Sequence, residues 1–242
     1  MSGRRTRALR HGALTSLLTG LTLGALAAIN LAVLAATPTR PTPAQAGAAD
    51  RAINHLAVLI LLATVIVAVD AQRLLTRARL RRAPGRALNV RRVRQQHRLI
   101  SRSWIELDGV VPVQRFPVYF DPALVTLDSP TRLPVHGDGA LRALRLGDRW
   151  VYPSGRVRSA EPPGRLLDNP THPDADAGER AARSAPLRRQ LQVDGVLLAP
   201  APFVGIFWAL LDGGGVVVWL GATVVTAVLA LWGAAMLGSD PS

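Results

Sequence analysis

The stretch RLLTRARLRRAPGRALNVRRVRQQHRLISR, residues 73–102, carries eleven arginines and no acidic residue. It follows directly on an apolar run, Ile53–Val69, that ends at Asp70. Its reading decides the architecture. On a soluble protein such a block predicts nucleic-acid binding. Beside a membrane span it predicts an orienting anchor. The apolar runs therefore have to be read with it.

Ala13–Ala36 is 24 residues without a charge, and a helix needs about 20 apolar residues to cross a ~30 Å hydrocarbon core. Arg4, Arg5, Arg7, Arg10 and His11 precede it in the tail 1–12. Two readings stand here. One is a retained span. The other is a signal peptide, with Ala44-Gln45-Ala46 as the small-residue cleavage site. The run is longer than the about 7–15 residues of a usual signal core, which favours the retained span. Residues 37–52, with prolines at 38, 41 and 43, read as a loop. Ile53–Val69 is 17 residues long, the short end for a span, and Ala71 and the snorkelling stem of Arg73 extend it. The runs 13–36 and 53–69 thus predict a helical hairpin within residues 13–69.

A second hairpin is predicted over 196–237, broken by Asp212-Gly213-Gly214-Gly215. Val216–Leu237 is a clear span of 22 residues. Val196–Leu211 contains Pro200 and Pro202, so it either spans from a start nearer Leu191 or is re-entrant. Trp208 lies four residues before Asp212 and Trp219 four after Gly215. That placement predicts an interfacial aromatic belt, with Trp232 at the other face.

Between the hairpins, residues 70–99 form an arginine-rich juxtamembrane segment. Residues 71–82 continue the helix, Pro84-Gly85 breaks it, and 86–99 are expected to form a second basic helix. From 100 to 160 the apolar residues come in short runs between turn signals. Strands are expected at Ser103–Leu107, Arg115–Phe120, Leu124–Leu127, Leu133–His136, Leu141–Leu146 and Arg149–Tyr152, with Gly147-Asp148 as a two-residue hairpin turn and Arg156–Arg158 pairing back. This is a small all-β domain. Residues 161–195, rich in proline, read as a flexible linker with a short helix near 177–184. Residues 238–242 are a C-terminal tail.

Arginine counts orient the spans. The N-terminal tail has four, the 37–52 loop two, the 70–195 region 23, and everything beyond none. By the positive-inside rule both termini and the β domain are cytoplasmic. The expected fold class is a membrane protein with four transmembrane α-helices in two hairpins and a small all-β cytoplasmic domain inserted between them. The expected location is a bacterial plasma membrane. All 29 basic residues are arginine and the net charge is +13. A GC-rich genome produces that bias without selection for function, so the position of each arginine matters more than the total.

The motifs exclude more than they assign. With no cysteine, disulfides, thiolate catalysis and zinc-thiolate sites are ruled out. His136 with Asp138, or Asp121 with Asp128, match no metal spacing, and Asp108, Asp121, Asp128, Asp138 and Asp148 all sit beside turns that favour aspartate for backbone reasons. No catalytic, cofactor-binding or metal-binding residue is assigned, and no cofactor is expected. Asn54 and His55 fall at the outer end of the second run and Asp70 at its inner end. Asn30 is expected to donate a hydrogen bond between helices.

Two residue sets are assigned. Arg73, Arg77, Arg79, Arg81, Arg82, Arg86, Arg91, Arg92 and Arg94 form the topology determinant and an anionic-lipid surface, each worth roughly 1 kcal/mol toward headgroups. Nucleic acid is disfavoured, since no aromatic is interleaved for stacking. Gly20, Gly24 and Ala28, in a row of small residues running from Ser16 to Ala36, and Ala222, Thr226 and Ala230 in the last span, are the helix-packing set. They serve pairing within the chain or between copies.

Arg115–Leu124, Val135-His136-Gly137 and Trp150–Arg156 resemble segments of uncharacterised multi-pass membrane proteins of actinobacteria, over about a fifth of the chain. The resemblance implies a GC-rich bacterial origin and carries no known activity. The functional expectation is a non-enzymatic integral membrane protein presenting its β domain for protein interaction or regulation of a membrane complex. The alternatives are an oligomeric transporter accessory or small channel subunit, and a membrane enzyme of unknown chemistry. Expected partners are anionic headgroups and a further copy or a membrane-complex subunit.

Overall fold

The computed structural model describes residues 7–169 and 174–242, so Arg4 and Arg5 lie outside the described residues. Six α-helices are present among the described residues: α1 Arg7–Ala35, α2 Pro43–Arg82, α3 Ala177–Ser184, α4 Leu187–Asp194, α5 Ala201–Asp212 and α6 Gly215–Leu237. Seven strands lie between α2 and α3: β1 Gly85–His97, β2 Ile100–Asp108, β3 Gln114–Val118, β4 Thr131–His136, β5 Ala143–Leu146, β6 Arg149–Val151 and β7 Arg165–Asp168. The chain forms two compact units. Of the described residues, a β unit comprises 7–13, 75–169, 174–197 and 233–242; a helical unit comprises 14–74 and 198–232.

The decisive correction concerns residues 86–99. They are not a second basic helix but β1, the 13-residue strand on which the sheet is built. Arginine is a good helix former, and the block continues a helix, so local preference misleads. Pairing overrides it. β1 is antiparallel to β2 from Asn89↔Asp108 to His97↔Ile100, to β4 over Gly85–Val90, and to β7 over Val93–Gln96. Leu88, Val90, Arg92 and Arg94 share one face with period two. Opposite them stand Leu107, Ile105 and Ser103.

The sheet order is β3-β2-β1-β4-β5-β6, with β7 also on β1. It curls until β3 meets the segment after β6, through the bridges Val118↔Pro153 and Arg115↔Arg158. Val90, Ile105, Leu107, Phe116, Val118, Leu124, Val135, Leu144 and Val151 fill its interior. The expected Gly147-Asp148 hairpin joins β5 to β6. Arg156–Arg158, expected to pair back on 149–152, pairs with β3 instead. Leu124–Leu127, expected to be a strand, starts within a single 3-10 turn, Pro122–Leu124, capped by Asp121, whose carboxylate accepts from the Ala123 amide at 2.9 Å.

Within the expected linker 161–195, the described residues 161–169 and 174–195 carry packed elements. The expected short helix is there as α3, but β7 adds to β1, Ala181 of α3 packs on Phe120 and Val125, and the Gln95 amide donates to Pro163 O at 2.6 Å. Proline content alone does not prevent order where the neighbouring side chains find partners.

In the helical unit, α2 begins at Pro43, inside the expected loop 37–52. Proline is tolerated in a first turn because its missing N–H has no partner there. Thr42 and Gln45 cap the start reciprocally: Gln45 Oε1 accepts from the Thr42 amide at 2.9 Å and Thr42 Oγ1 from the Gln45 amide at 3.4 Å. The core is Leu23, Leu59 and Ile66 with Val225, Leu229 and Trp232 against them. On α1 the buried row is Thr15, Thr19 and Leu23, and Thr19 Oγ1 donates to Val228 O at 3.3 Å. The row of small residues lies one position away. Gly20, Gly24 and Ala28 are exposed, and a Cβ at either glycine would meet nothing within 4 Å. Asn30 is corrected too: its amide donates to Leu26 O of its own helix at 2.8 Å, not between helices.

α5 and α6 pack at Gly205, where an added Cβ would lie 2.8 Å from Trp219 O and closer still to Thr223 Oγ1. The Trp219 indole donates to Pro202 O at 3.1 Å. Ala222, Thr226 and Ala230 are partly buried on α6. α1, α2 and α6 are each long and apolar enough to cross a membrane. The pieces on either side of Pro200, Leu187–Leu198 and Ala201–Asp212, add a fourth span only if taken together. The outward faces of the long helices are apolar, with Leu17, Leu21, Ile60, Leu61, Val67 and Val217 all more than half exposed, as a lipid-facing surface requires.

Candidate functional site

β1 places Arg92 on the same strand face as the core residue Val90, but two residues further along, where the interior ends. The side chain is 4% exposed. A buried guanidinium must be paired, and all three of its nitrogens are engaged. Nε donates to Ser103 Oγ at 3.1 Å and Nη1 to Asn169 Oδ1 at 3.0 Å. Nη2 donates to Asp240 Oδ2 at 2.7 Å and Ser242 Oγ at 2.8 Å.

Asp240 reaches this position because α6 ends in a turn at Gly238, at φ +75°, where a Cβ would lie 2.9 Å from Val118 O. Only glycine fits such a turn. The tail then adds to β2, with the Asp240 amide donating to Ser101 O at 2.8 Å. Arg102 Nε donates to Leu237 O at the end of α6, at 2.8 Å. The Asp240 carboxylate is 1% exposed as a residue. Burial would raise its pKa, but the Arg92 charge, the Ser103 hydroxyl and the hydroxyl and amide of Ser242 outweigh that and hold it below the usual carboxylate range. Asn169 sits in the gap that β4 and β7 leave on the edge of β1. Its amide donates to Leu124 O and Leu127 O, both at 2.9 Å.

Outside this pair lies a cleft of about 520 Å³ between β1, α3, α4 and the tail. Five arginines line it: Arg92 and Arg94 from β1, Arg180 and Arg183 from α3, and Arg189 from α4, with Asn169, Ser184 and Ser242 among the polar groups between them. Arg92 is paired with Asp240 and Arg180 with Asp174. Among the described residues no carboxylate forms an ion pair with Arg94, Arg183 or Arg189. Burial lowers the Arg94 pKa; Asp240 offsets this in part, and Arg92 and Arg189 add to it. Among the described residues the cleft thus holds more guanidinium than carboxylate charge in a concave site, the arrangement that draws an anion.

The other assigned arginines separate by partner. Arg91 and Arg115 both clasp Glu106, at 2.7 and 2.8 Å, in a row across β1, β2 and β3. Burial would raise the Glu106 pKa, but its hydrogen bonds to Arg115 and Arg91 hold it below the usual range. Arg77 lies over the rings of Tyr119 and Tyr152, and Arg81 Nε donates to Tyr152 Oη. With Leu80 these side chains hold the last turns of α2 in the β unit. Arg91, Arg92, Arg77 and Arg81 of the expected lipid surface thus have partners within the β unit, although the Arg91 side chain is still 40% exposed. Arg79, Arg82 and Arg86 are exposed. Arg73 is partly buried and also engaged.

No catalytic constellation assembles from the residues weighed. His136 packs on Trp150, with centroids 4.6 Å apart, and its Nδ1 lies 2.9 Å from Ala83 O. Asp121 is committed to its cap and to Arg149 at 3.2 Å, and Asp138 is exposed. Among the described residues no cluster of three His, Asp or Glu could hold a metal. Two histidine–aspartate pairs are present. His11 lies 3.0 Å from Asp194 in the β unit, both buried, and His55 lies 3.3 Å from Asp212 in the helical unit.

Sequence reading missed Asn169, Arg180, Arg183, Arg189 and Asp240. The signal for the last was present: Ser239-Asp240-Pro241 follows a glycine after the last apolar turn, and only arginines lie on the other side of the balance. The remainder depended on recognising β1 as a strand. The chain matches no protein-family model, no curated protein and no solved structure.

Proposed function

We propose that this chain is an integral protein of a bacterial plasma membrane whose β unit is a non-enzymatic binding module on the cytoplasmic side, coupled to the membrane helices that carry it. The observation that supports this is the way helix ends are built into the β unit. The start of α1 enters through the His11–Asp194 pair, and the end of α2 through Leu80 and the arginines stacked on Tyr119 and Tyr152. The residues after α6 enter through Asp240 on Arg92. A ligand on this module would bind the unit into which the ends of three helices are built. Such coupling supports the reading of a module that regulates a membrane complex. The arginine distribution favours the cytoplasmic side for all of them.

A second reading, an oligomeric transporter accessory, is favoured by one feature: the exposed row Gly20, Gly24 and Ala28 on α1 is left for another copy or subunit.

Crosslinking in native membranes, followed by identification of what copurifies, tests the module reading. A partner crosslinked to the β unit is expected; crosslinks confined to α1 of a second copy would replace the first reading by the second. Topology is tested by reporters inserted between Thr39 and Arg40 and after Ser242. The first should report the outer side and the second the cytoplasm. A cytoplasmic signal from the first would end the hairpin reading.

A further inference from the structure

Arg94, Arg183 and Arg189 converge on one concavity without carboxylate partners among the described residues, beside the fully committed Arg92. A single carboxylate would satisfy one guanidinium fork and leave the others uncompensated. A phosphate group offers several acceptor oxygens and up to two charges, and it matches several forks at once. A volume of about 520 Å³ admits a phosphorylated small molecule or a headgroup and is far too small for a folded partner.

We propose that this cleft binds a phosphate-bearing anion, held by Arg94, Arg183 and Arg189 and walled on one side by Pro241 and Ser242. The inference rests on the module reading above and deepens it. Binding here is sensed by the tail, because Ser242 Oγ shares the Arg92 Nη2 donor with Asp240. The phosphate comes either from a soluble phosphorylated molecule or from an anionic lipid headgroup.

The test uses the full chain in nanodiscs. In phosphatidylcholine discs, pyrophosphate is titrated by calorimetry and its effect on thermal unfolding is followed. In discs containing phosphatidic acid the thermal shift is read without added pyrophosphate. Arg183→Gln, Arg189→Gln and Arg94→Gln are compared with Arg79→Gln/Arg82→Gln, which removes the same kind of charge elsewhere. Arg183 and Arg189 are exposed, so their replacement leaves the fold intact. A response in the first arm assigns the soluble source, and one confined to the second assigns the headgroup. In either case each cleft variant should weaken it roughly tenfold, the order of one charge-assisted pair, and the control should change it less than about twofold. No response in either arm overturns the proposal, as does a response lost equally in the control. Either failure leaves the module reading standing if a partner still crosslinks to the β unit. Tight binding without any such partner supports the cleft and removes the coupling.

Discussion

Replacing Asp240 by asparagine tests whether the tail is held by one ion pair. The carboxylate accepts from Arg92 Nη2 at 2.7 Å, Ser103 Oγ at 2.5 Å, and the Ser242 amide and hydroxyl at 2.9 and 2.6 Å. An amide keeps one oxygen and turns the other acceptor into a donor, which then faces either Arg92 or the Ser242 amide. Breaking a buried ion pair from one side costs about 3–5 kcal/mol. Arg92 retains three neutral acceptors, Ser103, Asn169 and Ser242, so the low end, about 3 kcal/mol, is expected. For a unit of this size that is a drop of roughly 6–12 °C in Tm. Scanning fluorimetry in detergent reads the drop, and hydrogen exchange at the Asp240 amide, bonded to Ser101 O, should rise with it. Arg92→Met combined with Asp240→Asn should cost less than the sum of the two, since each single change strands the other partner. A Tm within about a degree of wild type, with the tail still protected, would refute the argument. So would strict additivity of the pair.

Three further outcomes follow from particular contacts. Gly205→Ala drives a Cβ into Trp219 O, a backbone atom that cannot move without its helix. Overpacking by one methyl there should cost about 1–3 kcal/mol, read as lost thermal stability; an unchanged Tm would mean that α5 does not pack on α6. The carboxylates of Asp240 and Glu106 are held below their usual range, so the stability they contribute is present above the ordinary carboxylate range and is lost as pH falls through their depressed values. Tm should hold from neutral pH down to about 5 and fall steeply below about 4, and Asp240→Asn should flatten that fall. Gly20→Leu with Gly24→Leu should leave the monomer's stability unchanged, because among the described residues nothing lies within 4 Å of a Cβ at either position. If copies pair through this face, the same change abolishes crosslinked dimers; a destabilised monomer would contradict the packing of α1.

How much of this is legible in the sequence follows from where the information sits. α1 and α6 are legible because an uncharged run of sufficient length has few alternatives. The strands near Trp104, Phe116 and Trp150 are legible because turn signals bound short apolar runs. β1 is not, since Leu88-Asn-Val-Arg-Arg-Val-Arg94 has three apolar residues in seven and fits either period. What fixes it as a strand is pairing on both edges, to β2 from Asn89↔Asp108 to Arg94↔Ser103 and to β4 from Leu88↔Leu133 to Val90↔Thr131, and no local window contains the β4 partners. The start of α2 was legible in Thr42-Pro-Ala-Gln45, a capping box with proline in the first turn. The count of prolines hid it. The cleft needed all of these at once, because its arginines come from β1, α3 and α4.

The absence of lysine allows a test of which arginines matter as arginines. A codon bias would act on every position equally, whereas geometry does not. Arg92 spreads four contacts over three nitrogens: Ser103 at Nε, Asn169 at Nη1, and Asp240 and Ser242 at Nη2. A lysine ammonium places all its donors on one atom, so it can follow Asp240 but must abandon Ser103 or Asn169, both of which are buried. Leaving one or two buried acceptors unmet costs about 1–3 kcal/mol each. Arg79, Arg82 and Arg86 are exposed, and lysine there keeps the charge that orients a span, with an effect within about 0.5 kcal/mol. Arg92→Lys should therefore unfold the β unit several degrees early, while the triple change Arg79→Lys, Arg82→Lys and Arg86→Lys should alter neither Tm nor topology. If both variants behave alike, the guanidinium fork of Arg92 contributes nothing beyond its charge, and the tail is held by Asp240 alone.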